Sequence, residues 1–379
     1  MKIVFLSHTI RSSIFRVGSY YLSKRFADLG HEVMYISSPL SLAHVAYYKL
    51  GNNLIEFEER WRLRKGKIDE DKVYNHVPLL LFPYTDRKFF GSYTLYQNFN
   101  PNLSGTSRQI EKAGFSNPDL VIQDSLKLNF CKNFLSPDRW VYRATDLYAE
   151  MPDAPSSMQI AEKEAVNYSD YVFATSEPLK RFLKETYGKE VHVLRNGVNY
   201  EHFSTLAKKP EEYRDITGPL CVYVGSMDNR FDHDLIIQLS KDTSLNIVLI
   251  GPLNSTIYEG YDNILCLGEI HPDNLPAYLQ YANVGLLPFK SMPANHNRSP
   301  MKIYEYGASG LPVVSTRLDE VERRNSKFVY IAESGQEFVH LVQKAIENRG
   351  ILSEMARLES KEYSWNKIAE SFLSFIYSN

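Results

Sequence analysis

The sequence predicts an α/β protein made of two parallel-sheet, Rossmann-like domains. Three observations carry that expectation. The chain opens on a short apolar run (Lys-Ile-Val-Phe-Leu-Ser, residues 2–7), a helical stretch and a second apolar run, the order that builds a parallel sheet. A second series of the same kind starts at residues 220–225 (Leu-Cys-Val-Tyr-Val-Gly), after a polar stretch at 210–218. The length, 379 residues, favours two domains over one.

Taken in order, residues 2–7 form the first strand, 13–29 a helix stopped by Gly30, and 31–37 the next strand. The loop Ser7-His8-Thr9-Ile10-Arg11-Ser12-Ser13 has no Gly-x-Gly-x-x-Gly, which argues against a dinucleotide-binding turn. Residues 41–96 read as an irregular insertion that mixes aromatics with bases, in Trp61-Arg62-Leu63-Arg64-Lys65 and Arg87-Lys88-Phe89-Phe90. Such pairs suit an anionic lipid interface and suit an ordinary solvated surface as well. The alternation resumes with strands at 119–123 and 138–144, a helix at 157–168, a strand at 171–175, a helix at 177–187 and a strand at 191–194. The second series continues with a helix near 232–239, strands at 246–250 and 263–267, a helix at 272–281 and a strand at 284–288. Residues 363–377 close the chain as an amphipathic helix.

Composition narrows the function. A net charge of −2 gives no bulk attraction to nucleic acid. The three cysteines, Cys131, Cys221 and Cys266, make no pair spacing or metal box, as expected in a reducing compartment. The apolar runs at 1–7 and 77–83 are too short for a leader or a membrane span, so a cytoplasmic protein is expected. The part through Arg195 has an excess of bases and the remainder an excess of acids.

The most informative stretch is 298–316, Arg-Ser-Pro-Met-Lys-Ile-Tyr-Glu-Tyr-Gly-Ala-Ser-Gly-Leu-Pro-Val-Val-Ser-Thr. It reads as a helix with Ser299 at the N-cap and Pro300 at the first helical position, ended by Gly310 and Pro312. Leu311, Val313 and Val314 then make a brief strand. A helix N-terminus offers N–H groups and partial positive charge to a phosphate, and Lys302 in the first turn adds a full charge. Glu305 follows on the same face. The two suit a diphosphate and a ribose diol; an amphipathic helix with Lys302 and Glu305 as an ion pair uses the same residues.

This stretch resembles the donor-nucleotide motif of GT-B glycosyltransferases, in which a Glu seven residues before a Pro holds the donor ribose, the spacing of Glu305 and Pro312. The motif's earlier Glu falls at Asn297, a departure. Arg195-Asn196-Gly197-Val198-Asn199 resembles the segment opening the interdomain linker of these enzymes. Val141-Tyr142-Arg143-Ala144-Thr145-Asp146, with Leu-Ser-His near the start, Val-Gly-Ser-Met at 224–227 and Ser-Pro-Met-Lys at 299–302, resembles the xanthan glucuronosyltransferase GumK family.

That resemblance implies a GT-B architecture with a cleft between an acceptor domain (1–204, plus a closing helix, 365–379, that crosses back to it) and a donor domain (205–364). It implies transfer of a sugar, glucuronate first, from a UDP-sugar to a lipid-linked oligosaccharide or glycan with inversion. Asp146 is the expected general base, with Glu150 and His8 next in line. Gly225, Ser226, Met227, Phe289, Ser299, Met301, Lys302 and Glu305 are the expected donor contacts. Phe289 stands where the family has a Tyr. Arg230 and Arg298 are candidate diphosphate cations, and no metal or other cofactor is expected beside them. His8, Thr9, Arg11 and Glu150 are candidate acceptor contacts; a capped loop with His8 in a structural hydrogen bond reads equally well. A UDP-sugar 2-epimerase of the same fold and a silent sugar-nucleotide-binding subunit stay open as alternatives.

Overall fold

The computed structural model describes residues 1–13, 16–41, 54–81, 105–148, 157–242, 244–253, 255–296 and 299–378. The chain divides into two compact units, Met1–Leu194 and Arg195–Asn379.

The first unit holds strands β1 (Lys2–Ser7), β2 (Glu32–Ser37), β3 (Leu40–Ser41), β4 (Lys67–Ile68), β5 (Tyr74–His76), β6 (Leu79–Leu80), β7 (Leu120–Gln123), β8 (Arg139–Ala144), β9 (Tyr171–Ala174) and β10 (His192–Val193). Eight form one sheet in the order β10-β9-β8-β7-β1-β2-β5-β4, parallel except for β4 against β5. The central strands are buried on both faces, hence their continuous apolar runs. Because β2 lies on one side of β1 and β7 on the other, the strand order reverses between β1 and β7. That is where a doubly wound sheet opens a crevice at its carboxyl edge.

Parts of this unit differ from the sequence reading. The first helix is Gly18–Asp28 and starts after residue 13, because Ser13 N–H donates to Ile10 O (3.1 Å) in a turn and Val17 holds an extended N-cap conformation. Gly18 also lies against the buried Arg143, where a Cβ would fall 2.8 Å from its guanidinium. Within the stretch expected to be irregular stand a helix, Leu54–Leu63, and the short strands β4, β5 and β6. Glu56 with Arg60 (2.8 Å) and Glu58 with Arg62 (3.6 Å) pair at i,i+4 along the helix, a spacing legible in the sequence.

The second unit is a six-stranded parallel sheet of β11 (Leu220–Val224), β12 (Asn246–Ile250), β13 (Ile264–Gly268), β14 (Val284–Leu287), β15 (Val313–Thr316) and β16 (Val329–Ala332), ordered β13-β12-β11-β14-β15-β16. This is the doubly wound nucleotide-binding order, with its reversal between β11 and β14. Alternate residues feed two cores. Val222, Val224, Val248 and Val313 pack with Tyr304, Tyr306 and Phe328 on one face, and Cys221, Tyr223, Ile247 and Val314 pack with Phe338 and Val342 on the other.

The compact units divide at 194/195, ten residues before the expected boundary. The reason is packing: Val198 and Phe203 are buried in the second unit's core. Val198 N–H donates to Tyr363 O and Trp365 N–H to Val198 O, both at 3.0 Å. Gly197 permits this approach, since a Cβ there would lie 2.6 Å from Tyr363 O. The last helix, Trp365–Ser378, accordingly falls within the second unit.

Candidate functional site

In the second unit, the expected donor residues gather at the carboxyl edge beside the β11/β14 reversal. Gly225 ends β11 with a positive φ of 156°, and a Cβ would meet Tyr223 Oη at 2.6 Å. Its N–H donates to Ile250 O (2.8 Å), Met227 N–H donates to Pro252 O (3.3 Å), and Tyr223 Oη–H donates to Ser226 O (2.9 Å). The backbone at 225–227 is thereby drawn across the ends of β11 and β12, with Met227 buried and Ser226 exposed. Phe289 follows β14. Its N–H donates to Thr316 Oγ1 (3.1 Å), and its ring stands edge-on to Tyr223.

The motif helix spans Met301–Ala308. Its C-terminus is as read: Gly310 takes a left-handed φ of 72°, its N–H donates to Gly307 O, and Leu311 N–H donates to Tyr306 O, both at 2.9 Å, a Schellman motif. Its N-terminus corrects the reading. Pro300, with ψ of 116°, is the N-cap residue rather than the first helical one, so Ser299 lies one position outside the cap. Among the described residues no side chain caps this end; Ile303 N–H donates to Pro300 O (3.3 Å), and the N–H groups of Met301 and Lys302 are the ones a bound phosphate would meet. The helix is tied to the sheet by Val224 N–H, which donates to Tyr306 Oη (2.9 Å). Met301 and Lys302 are half-buried on its first turn. Lys302 Nζ donates to Glu305 Oε2 (3.3 Å), and Glu305 is only 7% exposed. The pair is therefore held at the protein surface's inner rim and is not a solvated one.

Arg230 is in a bidentate pair with Asp228 (2.9 and 2.5 Å), which compensates its charge. Arg298 and Asn297 lie outside the described residues. Two contacts were not anticipated. Asn196 Nδ2–H donates to Ser299 O (3.1 Å), so the Asn-Gly-Val-Asn segment holds the loop leading into the motif helix. His296 contacts Ser291 Oγ (3.1 Å) and Asp319 Oδ1 (2.8 Å), clasping the loops that follow β14 and β15.

The first unit brings together a second set, again at its sheet reversal. His8 follows β1 and Asp124 follows β7. His8 N–H donates to Asp124 Oδ1 (3.2 Å), His8 Nδ1 lies 3.3 Å from the same oxygen, and Ser19 Oγ–H donates to Asp124 Oδ2. Burial lowers the His8 pKa, but the carboxylates of Asp124 and Asp146 outweigh it and leave the imidazole raised above 6.5. Asp146 follows β8, two strands from β1. A cavity of about 410 Å³ is lined by His8, Asp146 and Tyr148 together with Arg60, Ser125 and Lys127, among others. Burial first and Asp146 second raise the Tyr148 hydroxyl well above its ordinary range, so it stays a protonated donor. His8 thus makes a structural hydrogen bond and also lines the cavity.

Thr9 and Arg11 lie outside that lining. Thr9 Oγ1 is 3.4 Å from Tyr35 Oη. Arg11 is buried in a network with Asp69 (2.7 Å), Asp71 (2.5 Å) and Ser23, and its guanidinium stacks on Tyr20. Glu150 lies outside the described residues. Asp124 was missed, although Gln-Asp-Ser after an apolar run carries the same strand-ending acid signal that singled out Asp146.

Residues 218–348 match the family model of group 1 glycosyl transferases. Over 264 residues the chain is 24% identical to the putative teichuronic acid biosynthesis glycosyltransferase TuaH of Bacillus subtilis, covering 63% of this chain and 66% of that protein, just under two thirds of its length. The fold is similar to sucrose-phosphate synthase from Thermosynechococcus elongatus (TM-score 0.71, 12% identity, covering 100% and 99% of the two chains). It is similar also to HepE of Anabaena in complex with UDP (TM-score 0.67, 13% identity, 100% of both chains). Residues 218–348 of the second unit are thus similar to the group 1 glycosyl transferases, and the fold is GT-B, with two parallel-sheet Rossmann-like domains.

Proposed function

We propose that this protein transfers a sugar, glucuronate in the first instance, from a UDP-sugar to a glycan or lipid-linked acceptor in polysaccharide synthesis. One observation carries the reading. The group 1 match contains Gly225, Ser226, Met227, Phe289 and the helix with Lys302 and Glu305, and these meet at one sheet reversal. There the uncapped helix end and Lys302 bind the diphosphate, and Glu305 binds the ribose diol. The complex of HepE with UDP and the biosynthetic role of TuaH support a UDP-sugar donor and a polysaccharide product.

The first unit takes the acceptor in the cavity beside β1, β7 and β8. Asp146 accepts the proton of the acceptor hydroxyl as its oxygen attacks the anomeric carbon, the bond to the diphosphate breaks, and UDP departs with inversion. Lys302 and the helix dipole supply the stabilisation of the leaving diphosphate, with no metal invoked. The insertion helix supports a peripheral, salt-sensitive membrane contact on the cytoplasmic face. Ile55 is 83% exposed, and Arg64 stacks on the partly exposed Trp61. The second half of that expected patch, residues 87–90, lies outside the described residues. No described helix is long and apolar enough to cross a membrane.

The deciding experiment is a thermal-shift and calorimetric screen of nucleotides and nucleotide sugars. UDP and UDP-glucuronate are expected to bind above GDP- and ADP-sugars. Absence of UDP binding overturns the donor reading. Flotation with anionic vesicles at low salt tests the membrane contact, which fails if no protein floats.

A further inference from the structure

The cavity of the first unit is lined by groups of both charges. Asp146 and His8 belong to the lining, and the Asp146 carboxylate acts on His8, Arg143 and Tyr148. Arg60 and Lys127 belong to it as well. The Lys127 ammonium is disfavoured by burial and then by the Arg60 guanidinium. Arg60 is 15% exposed, with Nη1–H donating to Ser38 O (3.2 Å) and Nε–H to Glu56 Oε1 (2.8 Å). Glu56 lies outside the cavity lining, in which Asp146 is the one carboxylate among the described residues. The hydroxyls of Ser38 and Ser125, 3.4 Å apart, also line the cavity. Arg60 and Lys127 thus set two cations, near enough for one to act on the other, in the wall of one cavity, and an anionic group bound there would meet both. The volume, about 410 Å³, is in the range of small-ligand pockets.

We infer that the acceptor taken by this cavity carries an anionic group, a carboxylate or a phosphoryl, which Arg60 and Lys127 hold while the reacting hydroxyl faces Asp146. This rests on the reading of the first unit as the acceptor side. It gives the insertion helix Leu54–Leu63 a specificity role through Arg60, distinct from any contact of its outer face. The acceptor class is an acidic sugar or a phosphorylated one, and a neutral glycoside is a poor ligand.

The test is a ligand-observed NMR titration of the full chain with p-nitrophenyl β-D-glucuronide, p-nitrophenyl phosphate and p-nitrophenyl β-D-glucoside. At least one anion is expected to bind about tenfold or more tightly than the glucoside, the usual worth of a charge-assisted contact. The preference should collapse in Lys127→Met and in Arg60→Gln and survive in Lys127→Arg. Binding of the glucuronide alone assigns an acidic sugar, and of the phosphate alone a phosphoryl group. Equal binding of all three, or a preference untouched in both Lys127→Met and Arg60→Gln, overturns the inference. Because Arg60 also braces Ser38, the melting temperature of each variant is measured, and Lys127→Met decides if Arg60→Gln unfolds. UDP binding in the same samples separates the two levels. UDP bound without anion preference removes this inference alone, whereas anion preference without UDP binding keeps the anion site and removes the glycosyl-transfer reading.

Discussion

The two units present their sites at equivalent places, the carboxyl edge beside a strand-order reversal, but assemble them differently. In the second unit, most of the site comes from one contiguous stretch, 299–316, and the turn 225–227 and Phe289 complete it. In the first unit, the cavity draws on residues near 8, 38–40, 60, 125–127, 146–148 and 158, with no run longer than three. A helix carries its caps, charges and terminator in sequence order, so a phosphate site built on a helix end is a local object. A cavity between strand-ends and an inserted helix is a non-local one. The contrast also shows in charge. Lys302 and Glu305 pair with each other, while the first-unit cavity is lined by Arg60 and Lys127 as well as by Asp146.

The largest effect that would sharpen this contrast is on turnover. Asp146→Asn is expected to reduce kcat by about a hundredfold to ten-thousandfold, the usual share of a general base. UDP affinity and the melting temperature should stay at the parent values, because Asn preserves shape and local hydrogen bonding. Near-parent turnover measured with a UDP-sugar and acceptor would make Asp146 a turn residue and pass the base role to His8, which already has Asp124 as its orienting partner.

The second effect is on the donor side. Lys302→Ala and Glu305→Ala should each weaken UDP binding by about 1.5–3 kcal/mol in calorimetry, the worth of a hydrogen bond to a charged group. Lys302→Ala should also lower stability, since it leaves the nearly buried Glu305 without its cation. Unchanged UDP binding in both variants would reduce the pair to a helix-stabilising one.

A third test asks whether the linker segment belongs to the donor unit's fold. Gly197→Ala would set a Cβ 2.5 Å from Ile368 Cδ1 and 2.6 Å from Tyr363 O. Backbone cannot yield as a side-chain tip can, so a loss of about 1–3 kcal/mol in urea denaturation is expected. A variant as stable as the parent would show that this approach relaxes freely.

The smallest effect is a pH dependence inside the first unit. His76 is buried against Thr106 Oγ1 (3.2 Å), and burial pulls its pKa down to about 4. It stays neutral in the folded state while the unfolded imidazole gains a proton below about 6.5. Its contribution to stability is therefore full above that pH and is lost as pH falls from about 6.5 to about 4. His8 has the opposite sign, since its raised pKa makes protonation favour the fold. Replacing His76 with Gln should flatten the acid limb of the stability curve, and an unchanged limb would assign that loss to other groups.

The sequence alone determined the central strands of both sheets and the donor helix. Apolar runs of strand length alternate with helical periods, and Gly310 and Pro312 end the motif helix by backbone chemistry that needs no distant partner. Its N-terminus lies one residue later than residue types suggest, because Pro300 takes an extended ψ of 116°, a backbone angle that neither Ser299 nor Pro300 dictates by itself. Tertiary structure alone decided which polar residues share a site. Arg11 looked like an acceptor contact in its loop, but Asp69 and Asp71, brought in by the insertion, hold it in a buried network. Arg60 belongs to no motif in the sequence, and only the fold shows that it lines the cavity. Side-chain charge is written in the sequence, whereas the partner that compensates it is set by packing across the sheet.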